Sequence, residues 1–120
     1  MYARDNVADT RLRQEPNVRN EVIEAATIAL AMLSDPTRLR LMVVLLAGES
    51  DVSTLTAAVD AARPAVSQHL AKLRLARLVT VRRDGRRSIY AINGDHVHRL
   101  VVEAVQSAEH HVSDRPAHHG

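Results

Sequence analysis

A mainly helical α+β fold is predicted by three features of the 120-residue sequence. The composition is aliphatic, with no Phe or Trp and two Tyr. Apolar residues recur every three or four positions from Val18 to Ala76 and again after Asp95, and two short alternating stretches meet at Asp84-Gly85. An interior of Leu, Val, Ile, Ala and Met suits packed helices better than a β-sandwich, and the length suits one domain.

The elements follow in order. Val22, Ile23, Ala26, Leu30 and Leu33 mark a first helix from Val18. Ser34-Asp35-Pro36 ends it and opens a second, with Asp35 as N-cap and Pro36 at the first helical position. That second helix runs to Gly48 and, being largely apolar, should be the most buried element. Ser53 is the expected cap of a short third helix, with Leu55 and Val59 on its inner face. A turn at Ala61 to Arg63 leads into a fourth helix, opened by Pro64 and running to about Ala76. Two short helices joined by so brief a turn outline a helix-turn-helix. Residues 78–83 and 87–92 alternate as strands, and Asp84-Gly85 is a strong hairpin signal because both residues tolerate positive φ. A last helix runs from about Asp95 to His111. The expected organisation is a flexible arm (1–17), a winged helix-turn-helix (18–111) and a His-containing tail (112–120).

Charge is concentrated. From Arg63 to Arg87 eight bases face one acid, a net +7, whereas the remaining eight bases and thirteen acids give −5. One stretch is therefore built to meet a polyanion. On the fourth helix Val66, Leu70 and Leu73 must face the core, which leaves Ser67, Gln68, His69 and Lys72 on the other side. Gln68 could pair bidentately with adenine, and Ser67 and His69 could meet a base edge or a phosphate. Arg63, Lys72 and Arg74 are better suited to phosphates. Arg82, Arg83, Arg86 and Arg87 surround the hairpin tip, the chemistry of a wing on a DNA backbone or in a minor groove. His69 is alternatively a structural residue of that helix.

Other classes are disfavoured. Cysteine is absent, which removes disulfides, thiolate metal sites and cysteine nucleophiles. No stretch approaches the roughly 20 apolar residues of a membrane span, and the N-terminal residues lack the apolar centre of a signal peptide, so a cytoplasmic protein is expected. No nucleophile–base pair, P-loop or dinucleotide fingerprint suggests an enzyme.

The stretches DPTRLRLMVVLL, RPAVSQHLAKLRLARLV and RRDGRRSIYAI resemble the ArsR/SmtB family of metalloregulatory repressors over about residues 18 to 111. The resemblance implies an α-α-α-α-β-β-α homodimer joined through its first and last helices. It also implies repression from a palindromic operator and release by an effector. A dimer suits the physics as well, since one short helix reads few base pairs.

Six of the seven histidines follow residue 95: His96, His98, His110, His111, His118 and His119. His96 and His110 lie within about 40° of one helix face but roughly 21 Å apart, so they cannot share a metal within one chain. Antiparallel pairing of two such helices would bring His96 beside Glu109 and His110 of the partner subunit. Zinc-sensing relatives carry an Asp two residues before the first His and a closing His-x-x-His; here those positions hold Gly94 and Ser107. The pattern is instead similar to the nickel/cobalt-sensing, KmtR-type branch, which nominates His96, Glu109, His110, His118 and His119 as ligands. Five nitrogen and oxygen donors without sulfur suit octahedral Ni(II) or Co(II) better than Zn(II). The implied function is a metal-responsive repressor of operator DNA. The competing readings are a related DNA-binding repressor with no metal effector, or one that senses Zn(II).

Overall fold

The computed structural model describes residues 17–114. Apart from Asn17 the expected N-terminal arm lies outside these residues, as do His118 and His119. Five helices and three short strands follow one another: α1 (Asn20–Leu33), α2 (Pro36–Leu46), β1 (Ser50–Asp51), α3 (Val52–Val59), α4 (Arg63–Leu75), β2 (Val79–Asp84), β3 (Arg87–Ile92) and α5 (Gly94–Ser113). The predicted α+β winged helix-turn-helix is the observed architecture, with one strand more than expected.

Helix α2 is the hub. Leu41 and Met42 are fully buried and Leu45 nearly so, and the helix packs against α1, α3, α4, α5 and β3. Asp35 caps it as expected, its Oδ2 accepting from the Arg38 backbone N–H at 3.0 Å, with Pro36 in the first turn. Around it Leu33, Leu55, Val59, Val66, Leu70, Leu73, Leu78, Val79 and Val101 complete one aliphatic core.

The cap of α3 differs from expectation. Asp51, not Ser53, accepts from the Thr54 backbone N–H at 2.8 Å, and the helix begins at Val52. An aspartate three residues before that amide is placed to cap it, and this leaves the Ser53 hydroxyl for another partner. Leu55 and Val59 do face inward. The turn into α4 is Asp60 to Ala62, with Asp60 in the left-handed region at φ 53°, and Arg63 already lies in the helix.

Helix α4 ends in a Schellman arrangement: Leu78 N–H donates to Leu73 O and Arg77 N–H to Arg74 O, both at 2.9 Å. The left-handed position, usually glycine, holds Arg77 at φ 63°. Buried Leu78 and Leu73 supply the apolar contact that accompanies the motif. The chain then enters β2, which pairs antiparallel with β3 from Val79↔Ile92 to Asp84↔Arg87. The connection is the two residues Gly85-Arg86, with Gly85 at φ 64° in the first central position, where a type II′ turn favours glycine. Asp84 thus belongs to the strand and keeps a negative φ. The third strand, β1, pairs with β3 through Ser50↔Tyr90 and Asp51↔Ile89, giving the order β1-β3-β2. Two residues are too few for periodicity to reveal.

Helix α1 contributes only Leu33 to the core, while Val22, Ile23, Ile28 and Leu30 are about half exposed (45–55%). Helix α5 runs two residues past the expected end, buries Val101, and leaves Leu100 and Val112 exposed. Among the described residues no helix is long and apolar enough to cross a membrane.

Candidate functional site

Helix α4, the second of the helix-turn-helix and the expected reading helix, is built as its spacing requires. Val66, Leu70 and Leu73 are fully buried, which presents Ser67, Gln68, Lys72 and Arg74 to solvent. Helix α3 lies across its start, and Arg63 reaches back from the first turn of α4 to donate to Ser53 Oγ at 2.7 Å. His69 differs from its neighbours. It is half-buried, and its Nδ1 lies 3.2 Å from an Arg38 terminal nitrogen and 3.9 Å from Asp35 Oδ2.

The four wing arginines take distinct places. Arg82 grips Glu49 through two contacts, at 2.6 and 3.3 Å. Arg87 donates to Asp84 at 2.9 Å and to Asp51 at 3.2 Å. Arg83 meets the uncharged Ser88 hydroxyl at 3.1 Å. Arg86, at the tip, is exposed and has no hydrogen bond or ion pair among the described residues. Two guanidinium groups thus fasten the wing to the segment that opens the helix-turn-helix, and two point charges remain for a polyanion. The effect on the acids is clear. The Arg82 hydrogen bonds hold the Glu49 carboxyl below its ordinary range. The Thr54 amide and hydroxyl, with Arg87 behind them, do the same for Asp51. Sequence reasoning missed Glu49 and Asp51 because each lies more than 30 residues from its arginine along the chain.

Between the start of α3 and the wing lies an open cleft of about 280 Å³ lined by Ser53, Arg63, Arg83, Arg86, Arg87 and Ser88, among others. It joins the helix-turn-helix and the wing into one positive surface, suited to phosphate oxygens.

Of the nominated metal ligands, His96, Glu109 and His110 lie among the described residues, and these three do not converge within the chain. Among the described residues no three His, Asp or Glu side chains come close enough to hold an ion. His96 is exposed near the start of α5, with its Nδ1 3.0 Å from an Arg99 terminal nitrogen. Glu109 and His110 are exposed near the other end and line an apolar groove with Leu39, Ala104, Val105, Ala108 and Val112. His98 and His111 are exposed as well. This separation is what the helical rise requires for residues fourteen apart.

Comparison with known proteins agrees with the winged helix-turn-helix. Residues 35–81 match the model of the bacterial regulatory protein, arsR family. The chain is 47% identical over 88 residues to the HTH-type transcriptional regulator KmtR of Mycobacterium tuberculosis, covering 73% of this chain and 68% of that protein. It is 39% identical over 87 residues to the HTH-type transcriptional regulator CmtR of the same species, covering 72% of this chain and 74% of that protein. Among solved structures, the homodimeric winged helix-turn-helix DNA-binding domain of Mb0332 from Mycobacterium bovis superposes with a TM-score of 0.75 at 27% identity, over 82% of this chain and 92% of that one. The wing, the reading helix and these relatives together show that the chain belongs to the ArsR family of bacterial regulatory proteins and is a DNA-binding transcriptional regulator, not an enzyme.

Proposed function

We propose that the protein is a cytoplasmic transcriptional repressor that holds operator DNA as a homodimer and releases it when Ni(II) or Co(II) binds between the two copies of α5. The observation that carries this reading is the placement of its donors. His96 and the pair Glu109-His110 are exposed at opposite ends of one helix, and that helix leaves Leu100 and Val112 uncovered, as α1 leaves an apolar stripe of Val22, Ile23 and Leu30. Burying α1 and α5 against a second copy would remove this apolar surface from water. Antiparallel pairing of the α5 helices would then bring His96 beside the partner subunit's His110, twice by symmetry.

The donor set fits such an ion. His96, Glu109 and His110 would hold it through nitrogen and oxygen, with His118 and His119 completing the shell; no cysteine thiolate is available, which favours Ni(II) or Co(II) over Zn(II). On the DNA side, Gln68 and Ser67 would read base edges, while Arg63, Lys72, Arg74, Arg83 and Arg86 would meet phosphates. Arg82 and Arg87 would act mainly by holding the wing. Helix α2 joins the two functions: its Leu39 lines the groove of Glu109 and His110, and the helix also packs on α4. A metal that fixed the pose of the two α5 helices would thereby bias the two reading heads, for which a coupling of about 1–3 kcal/mol suffices.

The test is a titration of Ni(II), Co(II) and Zn(II) into the protein on a duplex that it selects from a random-sequence pool. Release by Ni(II) or Co(II), abolished in His96→Ala and His110→Ala, is expected. Unchanged DNA affinity with all three metals overturns the sensor reading. Intense Co(II) d–d absorption, the mark of a tetrahedral site, overturns the nickel/cobalt assignment and leaves the Zn(II)-sensing reading. Unchanged affinity leaves a repressor without a metal effector.

A further inference from the structure

His69 lies in the middle of the reading helix, directly after Gln68, yet its ring turns towards the corner between α1 and α2. Its Nδ1 is 3.2 Å from an Arg38 terminal nitrogen. Arg38 is itself held: its Nε donates to Met32 O at the end of α1 at 2.6 Å, and its backbone N–H donates to Asp35 Oδ2 at 3.0 Å. A guanidinium can only donate, so the Arg38–His69 contact requires a lone pair on Nδ1 and places the ring proton on Nε2. Contact with a base or phosphate from this helix would use the other nitrogen, Nε2. The charged groups at the contact are Arg38 and, with its Oδ2 3.9 Å from Nδ1, Asp35 on the α2 corner.

We infer that His69 is a positioning residue for DNA reading rather than a base-reading one. Through Nδ1 it accepts the Arg38 guanidinium and so sets the roll of α4 against the α1–α2 corner. That roll decides the angle at which Ser67, Gln68 and Lys72 meet the groove. Core packing through Val66, Leu70 and Leu73 fixes the depth of the helix, but aliphatic contacts tolerate small rotations. One directional hydrogen bond to a charged donor removes that freedom. The inference rests on DNA binding alone and is independent of the metal reading.

Two isosteres separate the roles. Asparagine offers an oxygen near the Nδ1 position, and glutamine extends its amide to the region of Nε2. On a duplex selected from a random pool by the unaltered protein, His69→Asn should bind within about threefold of wild type. His69→Gln and His69→Ala should each lose about tenfold, the scale of one hydrogen bond to a charged group, with the base preference unchanged. Arg38→Ala should lose a similar factor, and the double variant His69→Ala/Arg38→Ala no more than either alone. In the free protein, imidazole ¹⁵N NMR at neutral pH should show the His69 proton on Nε2, a readout that depends on no variant's folding. Retained binding in His69→Gln with loss in His69→Asn, altered preference at one base position, additive losses, or a neutral ring protonated on Nδ1 would each overturn the inference.

Discussion

Arg87 binds the carboxylate of Asp51 at 3.2 Å through Oδ2, while Oδ1 of the same group accepts the Thr54 amide at 2.8 Å and starts α3. One side chain, 17% exposed, thus caps the first helix of the helix-turn-helix and ties down the wing. Substituting it should separate the two effects. Asp51→Asn keeps an acceptor for the cap and loses the charge that holds Arg87; Asp51→Ala loses both. The expected order of thermal stability is wild type, Asn, Ala, and hydrogen exchange in the wing should rise in both variants.

The same group predicts a pH dependence. Asp35, Glu49 and Asp51 all have carboxyls held below their ordinary range, chiefly by the Arg38 amide, the Arg82 guanidinium and the Thr54 amide respectively. The unfolded chain therefore binds protons more readily than the folded one. Their contribution is complete above the ordinary carboxylate range, about pH 4, and is lost as pH falls through it to the depressed folded values. Denaturant melts between pH 3 and 6 should show this slope, and Asp51→Ala should flatten it.

Arg86 at the wing tip has no partner among the described residues, whereas Arg82 is committed to Glu49. Arg86→Ala should weaken binding to all duplexes about equally and reduce the slope of log K against log salt by about one per protomer. The fold should be unaffected, since no contact is broken. Arg82→Ala should instead lower thermal stability as well, because it releases the wing from Glu49.

Arg77 sits at φ 63° in the Schellman position of α4. A side chain there crowds the following carbonyl, and glycine does not. Arg77→Gly should stabilise the protein by up to about 1 kcal/mol in chemical denaturation, part of the gain being offset by the freer unfolded chain.

The apolar stripe of α1 and the uncovered residues of α5 predict a charge-sensitive association. Ile23→Glu or Leu100→Glu, at positions 54% and 37% exposed in the single chain, should leave the fold of each protomer intact. Sedimentation should show monomers, and DNA affinity should fall at least about a hundredfold as the two half-sites uncouple.

Most of the architecture was legible because it is local. The spacing of Val66, Leu70 and Leu73 oriented the reading helix, Asp35-Pro36 marked the start of α2, and a glycine at position 85 announced the hairpin. Misreadings were also local. Ser53 and Asp51 both resemble N-caps, and only the backbone path decides whether the Asp51 carboxyl meets the Thr54 amide or the Ser53 hydroxyl meets that of Leu55 or Thr56. Strand β1 was invisible because two residues carry no period.

By itself, the sequence determined the helical order, the aliphatic core, the basic segment from Arg63 to Arg87 and the histidine-rich character of the last helix, since periodicity, capping and charge act over a few residues. Only the tertiary structure decided what those charges do. It committed Arg82 and Arg87 to acids 33 and 36 positions away, left Arg86 open at the tip, and turned His69 towards Arg38 across 31 residues. Such contacts form when separate elements meet around α2, and chain spacing does not encode which side chains that packing brings together.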